Sequence, residues 1–305
     1  MMATAHESTR DRAIGASVGW LRALGRAFGT IWANKKARIG IVLLGFFILL
    51  AIFAPLIAPY DPHDNSFPRS AEGSAAHPFG TTAAGQDVLS QVIFGAQVSV
   101  VVGLVAGGLS TIIAVLVGLT WGYIRTFVGD VVNFIVNLFL IIPALPLMIV
   151  IAAYLQNGGL TMIVLVIVLT SWAWGARVLR SQTQSLRSRD FITAAIFSGD
   201  SASRIVFREI LPNMTSLIVG SFFGAATAAI LSEAGLEFLG LGDSSTISWG
   251  TMLFWSQNSN VLLTGQWVLL FVPGLCIALL ATSMTFILFG VDGLSNPRLR
   301  EGAKK

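Results

Sequence analysis

Charge is scarce in this sequence. Asp, Glu, Lys and Arg make up 11% of its 305 residues, while 54% are hydrophobic and the mean hydropathy is +0.77. A soluble domain carries about a quarter charged residues, so a water-facing surface cannot be built here and a bilayer is expected as the solvent. The single cysteine, Cys276, lies in an apolar run, which excludes an intrachain disulfide. None of the four lysines follows a glycine, so the phosphate loop G-x-x-x-x-G-K-[ST] is absent. His6, His63 and His77 have no metal-ligand spacing and none lies in an apolar run, so no metal site is expected, and no catalytic residues are expected either. The pI near 9.6 does not point to nucleic acid, because the basic residues are scattered rather than striped.

What is plentiful is apolar runs of about 20 residues, the length that crosses a hydrocarbon layer of about 30 Å. Six are expected to span: Ile39–Ala58, Val98–Tyr123, Val131–Leu155, Leu160–Leu179, Thr215–Leu236 and Gln266–Phe289. With the N-terminus inside, 18 of the 19 basic residues fall on one side and only Arg69 on the other. The positive-inside rule then predicts a multi-pass protein of the cell membrane with both termini cytoplasmic. The apolar stretch starts near residue 39, too late and too long for a signal-peptide core. Ahead of it, Ile14, Val18, Leu21, Leu24, Phe28 and Ile31 recur at helical steps, which suits a helix lying on the inner membrane surface. A disordered basic tail is the alternative.

Acidic residues are absent from the first, second, fourth and sixth spans. Ion-coupled carriers bury titratable groups at mid-membrane. Here only Asp130, at an inner edge, and Glu233 and Glu237, near the outer end of the fifth span, come close, and a structural role is expected for the last two. The chain therefore carries no engine of its own, and uphill movement of a solute needs an energy source in a partner.

Between the fourth and fifth spans lies a polar hairpin, FITAAIFSGDSASRIVFREILPN over Phe191–Asn213. Phe191–Ser198 reads as a short helix, with Gly199 as its stop. Asp200 or Ser201 is placed to cap a second helix whose apolar face is Ile205, Val206 and Ile210, and Pro212 ends it. Small residues at the bend and an apolar helix face suit docking into a groove of a cytoplasmic partner.

This hairpin resembles the coupling motif of binding-protein-dependent permeases of ATP-binding cassette importers, with Ala194, Ala195, Gly199, Leu211 and Pro212 at matching separations. Three further stretches are similar to the C-type permease of the dipeptide, oligopeptide and nickel branch. They are HPFGTTAAGQDVLSQVIFGAQVSVVVG (His77–Gly103), SEAGLEFLGLG (Ser232–Gly242) with SWGTML (Ser248–Leu253), and IFAPLIAPYDP (Ile52–Pro62). Departures are Thr193 in place of the motif's Glu, Gln86, Gln91 and Gln97 where Arg is common, and Phe134 and Asn137 where the third span often has Arg and Asp.

The resemblance implies an all-α membrane protein of six transmembrane helices, the type I importer permease fold, divided as a basic segment 1–38, a first helix and extracytoplasmic loop 39–96, a five-helix core 97–290 containing the coupling hairpin 190–212, and a tail 291–305. It implies a permease subunit of an ATP-driven importer of di- or oligopeptides, with nickel chelates or other small solutes as the alternative and an ion-coupled carrier as the rival class. Implied partners are a second permease, two ATPase subunits that bind ATP and Mg, and an extracytoplasmic solute-binding protein; this chain holds no cofactor. Phe191, Thr193, Ala194, Ala195, Ile196, Gly199, Asp200, Leu211 and Pro212 are the expected ATPase-coupling residues. Gly80, Asp87, Gly240, Gly242 and Trp249 are expected in loops facing the binding protein, and Pro143 and Pro146 at a hinge.

Overall fold

The computed structural model describes residue 25 and residues 28–124, 126–155 and 159–295. Most of the expected surface helix over residues 14–32, and residues 296–305 of the tail, lie outside the described residues. Helix α1 spans Lys35–Ile57, and the Asn34 side chain caps it by accepting from the amides of Lys36 and Ala37 at 3.0 and 3.3 Å. Helix α2, Val88–Tyr123, is 36 residues long, about 54 Å at 1.5 Å per residue, and so outruns the bilayer.

The ten residues by which α2 begins ahead of the expected span carry Ser90, Gln91 and Gln97, which depress hydropathy. Those groups face protein rather than water. Gln91 donates to Gln86 Oε1 at 2.9 Å and to the Pro62 carbonyl at 3.3 Å, and Gln97 donates to the Ala51 carbonyl at 2.9 Å. Neutral amides thus tie the N-terminal end of α2 to the preceding loop and to α1. Residues 88–96, expected as loop, belong to the helix.

The expected third span is broken. Helix α3 (Phe127–Ile141) and helix α4 (Ala144–Tyr154) meet at 92°. Pro143 sits at the N-cap of α4. With no N–H, it leaves the Phe139 carbonyl without its i+4 donor, so the chain turns there. Helix α5 (Gly159–Arg187) continues eight residues past the expected end and carries Arg180 and Arg187 on the helix rather than in a loop. The hairpin follows, with α6 (Asp190–Phe197) as its first arm, and then α7 (Thr215–Phe238). A helix not foreseen in the segment after α7, α8 (Trp249–Asn258), precedes the last span, α9 (Val268–Ser295). Among the described residues there is no β-strand, only an isolated bridge between Thr81 and Asp87.

Helix α2 is the central post, packed on α5 along one side and on α7 along the other. Two small-xxx-small pairs make this possible. A Cβ on Gly107 would lie 2.6 Å from the Ala226 Cα of α7, and one on Gly118 would lie 2.8 Å from the Ala176 carbonyl of α5. Gly103 and Gly122, one turn away in each pair, are equally close to Ile230 and Thr183. Backbone contact of this kind replaces the hydrophobic drive that lipid does not supply.

Candidate coupling site

Helix α6 ends on Gly199, whose φ is +83°. Its amide donates to the Ile196 carbonyl at 3.0 Å, and the Asp200 amide reaches back to Ala195 at 3.2 Å, a left-handed stop that glycine adopts without a Cβ penalty. No side-chain cap starts the return segment. Asp200 instead pairs with exposed Arg204 at 2.7 Å. After one α-turn at Ala202–Arg204 the chain widens into a π-turn over Ile205–Ile210, closed by the Leu211 amide on the Val206 carbonyl.

The wide turn sets Ile205, Val206 and Ile210 together on the inward side. With Ile192 of α6 and Met214 they pack against Ala114 and Leu119 of α2 and Ala176 and Leu179 of α5. This corrects the expectation for the second arm: its apolar face is spent on the chain's own core and is not free for a groove. Exposed instead are Phe191, Thr193, Ala194, Ile196, Phe197 and Phe207, with Phe197 87% exposed. Ala195 and Leu211 are half-buried, and Pro212 is exposed. A Cβ on Gly199 would meet nothing within 4 Å, so the bend is open to a neighbour.

The hairpin is fastened to the bundle immediately before it starts. Arg187 at the end of α5 donates to the Tyr123 carbonyl at the end of α2 at 2.6 Å, with its guanidinium 4.9 Å from the Tyr123 ring centre. The start of the hairpin is thereby tied to both α5 and α2.

On the opposite side, the loop from α1 to α2 is an ordered unit. Asp87 caps α2 through Ser90, at 2.8 Å to the amide and 2.7 Å to the hydroxyl, and its other oxygen meets His77 Nδ1 at 2.8 Å. Tyr60, Phe67 and His77 stack mutually at 4.6–5.0 Å. Two of the residues expected to face a partner are interior: Asp87 and Trp249 are fully buried, so their side chains build the loops and offer no contact. Gly80 is buried too, at φ +77°, while Gly240 is exposed at φ +76° and Gly242 is half-buried. In the loop after α7, Asp243 accepts from the Ser245 amide and hydroxyl at 2.9 and 2.6 Å, and these bonds hold its carboxyl below its ordinary value.

Glu233 and Glu237, both buried, face protein. Ser99 of α2 donates to the Glu233 carboxylate at 3.3 Å, and Ser248, the N-cap of α8, donates to Glu237 Oε2. These carboxylates bind α7 to α2 and α8, which fits the structural role expected of them.

The chain matches the family described as "Binding-protein-dependent transport system inner membrane component" over residues 114–301. Residues 24–76 match the N-terminal transmembrane domain of oligopeptide transport permease C. It is 33% identical to the dipeptide transport system permease protein DppC of Alkalihalophilus pseudofirmus over 277 residues, 90% of each chain. It is 32% identical to the oligopeptide transport system permease protein OppC of Bacillus subtilis, over 88% of each chain. To the di/tripeptide transport system permease protein DppC of Pseudomonas aeruginosa it is 30% identical, over 88% of this chain and 90% of that one. Together with five long apolar helices and one broken pair among the described residues, these matches place the chain in the family of binding-protein-dependent transport system inner membrane components, the multi-pass permeases of ATP-binding cassette systems.

Proposed function

We propose that this chain forms half of the translocation path of an ATP-driven, binding-protein-dependent importer of di- and oligopeptides. A second permease supplies the other half, two ATPases dock on the hairpin from the cytoplasm, and a binding protein delivers solute from outside. Both termini then lie in the cytoplasm, as the distribution of arginines predicts. The chain catalyses nothing itself, and ATP and Mg belong to the ATPases. Peptide as the solute follows from the relatives, whose printed names specify dipeptide, di/tripeptide and oligopeptide transport.

The observation that carries the reading is the outward apolar tip formed by Phe191, Ile196 and Phe197 beside an open, left-handed Gly199. Such side chains are costly in water and gain by entering a partner's groove. Closure of the ATPase pair would then drive α6, and through the Arg187–Tyr123 tie would rock α2 and α5 together. Packed interfaces have discrete arrangements, so a small push becomes an alternation between inward- and outward-open states. The 92° break at Pro143 gives α3 and α4 a place to change their relative angle.

The test is reconstitution of the four kinds of subunit in proteoliposomes with a radiolabelled dipeptide. ATP-dependent uptake that requires every subunit is expected. Uptake driven by a proton gradient in vesicles holding this chain without ATPases would overturn the proposal.

A further inference from the structure

Among the described residues Arg177 has no counter-charge. It projects from α5 about 27 Å from that helix's outer end by residue count, near the inner boundary of the hydrocarbon, and it is exposed. Its Nη2–H donates to Asn137 Oδ1 of α3. Asn137 in turn donates to the Asn133 carbonyl at 2.8 Å and to Asn133 Oδ1 at 3.1 Å. The ion pairs among the described residues are His77–Asp87 and Arg204–Asp200, so no carboxylate neutralises Arg177 there. One turn below, Arg180 stacks 4.0 Å over the Trp121 ring, and both Arg180 Nε and Trp121 Nε1 are buried without an acceptor. The region therefore has more donors and more positive charge than its own acceptors satisfy.

The same side of the chain carries the α3–α4 break. Ile141 is 79% exposed, and Pro143, Ala144 and Pro146 are exposed as well. Irregular backbone at membrane depth is tolerated against protein or a water-filled cavity, not against lipid. Amides and a guanidinium in a span follow the same rule. An exposed break beside an exposed Arg177 that rests on half-buried Asn137 and Asn133 marks this side as the wall of the path.

We propose that Arg177, oriented by Asn137 and Asn133, is the point on that path that recognises the solute's carboxylate. The inference rests on the importer reading. A guanidinium keeps its charge at all working pH values and matches a carboxylate with two parallel donors. In short peptides of any sequence the terminal carboxylate is the one anion always present. An exposed fork with a neutral orienting partner binds such a group without holding it, which transit requires.

The test uses the complete complex in phosphatidylcholine vesicles, comparing dialanine with its C-terminal amide at concentrations that saturate the binding protein. The readout is the ratio of dialanine to amide uptake relative to wild type. Arg177→Gln is expected to lower that ratio about tenfold, and Arg177→Lys to keep it within about threefold. Asn137→Asp, which places a competing carboxylate on the guanidinium, is expected to lower the ratio while the purified chain melts no earlier than wild type. An unchanged ratio in Arg177→Gln overturns the proposal. So does an unchanged ratio with uptake of both probes shifting when phosphatidylglycerol is added, which assigns Arg177 to a lipid phosphate. Wild-type complex that takes up neither probe on ATP overturns the importer reading itself.

Discussion

The indole Nε1–H of Trp249 donates to the Val92 carbonyl at 2.9 Å, joining residues 157 positions apart. The ring is fully buried, meets Phe47 of α1 edge-on at 5.4 Å, and lies so close to α2 that a Cβ on Gly95 would fall 2.7 Å from it. One side chain of α8 therefore pins three elements. Trp249→Ala is expected to destabilise the purified chain by about 3–5 kcal/mol, as for other buried aromatic truncations, and Trp249→Phe by less. Thermal unfolding in detergent measures both, and an unchanged midpoint for the alanine variant would contradict this packing.

At the coupling hairpin, fold and docking separate by residue. Phe197→Ser removes an exposed side chain and is expected to leave stability within about 0.5 kcal/mol, yet to reduce co-purification with the ATPases at least tenfold. Ile210→Ala, at a fully buried position, is expected to cost about 2–5 kcal/mol and to lower the melting temperature first. Equal effects of the two on ATPase capture would remove the distinction.

Gly199 tests the bend itself. Alanine there meets open space, so its cost is confined to the left-handed backbone, about 1–2 kcal/mol, and ATPase capture should persist. Tryptophan adds bulk where the partner must approach, and Gly199→Trp should abolish capture and uptake while the chain remains folded. Normal uptake by that variant would place the docking surface elsewhere.

The close approach of α2 to α7 depends on Gly107 having no side chain. Gly107→Leu is expected to overpack the crossing by about 1–3 kcal/mol or more, because the nearest atoms are backbone of Ala226 and cannot rotate away. Half-buried Gly224 on α7 has nothing within 4 Å of where a Cβ would sit, so Gly224→Ala should be tolerated. Comparing expression and melting of the two variants reads the difference.

Membrane orientation is open to labelling. Ser70 lies in the long loop before α2, but its φ of 52° makes it a poor host for a new side chain. Ala75 is exposed in the same loop. In a Cys276→Ser background, Ala75→Cys in intact cells should react with a membrane-impermeant maleimide added outside. Reaction only after the inner face is opened would invert the topology.

Composition and hydropathic runs alone determined that this chain lives in a bilayer and how many times it approaches a crossing. These depend on transfer free energies that each residue carries with it, so order along the chain suffices. The hairpin motif was legible for the same reason: a helix, a glycine stop and a proline are local. Only the tertiary structure decided which way the hairpin's apolar residues face, since Ile205 and Phe207 are equally apolar and differ only in their neighbours. It also decided that residues 88–97 are helix, because Gln91 and Gln97 find acceptors on other segments and hydropathy counts them as though they faced water. Burial of Trp249, the 92° break and the hydrogen bond from Arg177 to Asn137 are likewise relations between separated segments, and a linear sequence does not contain the distances that create them.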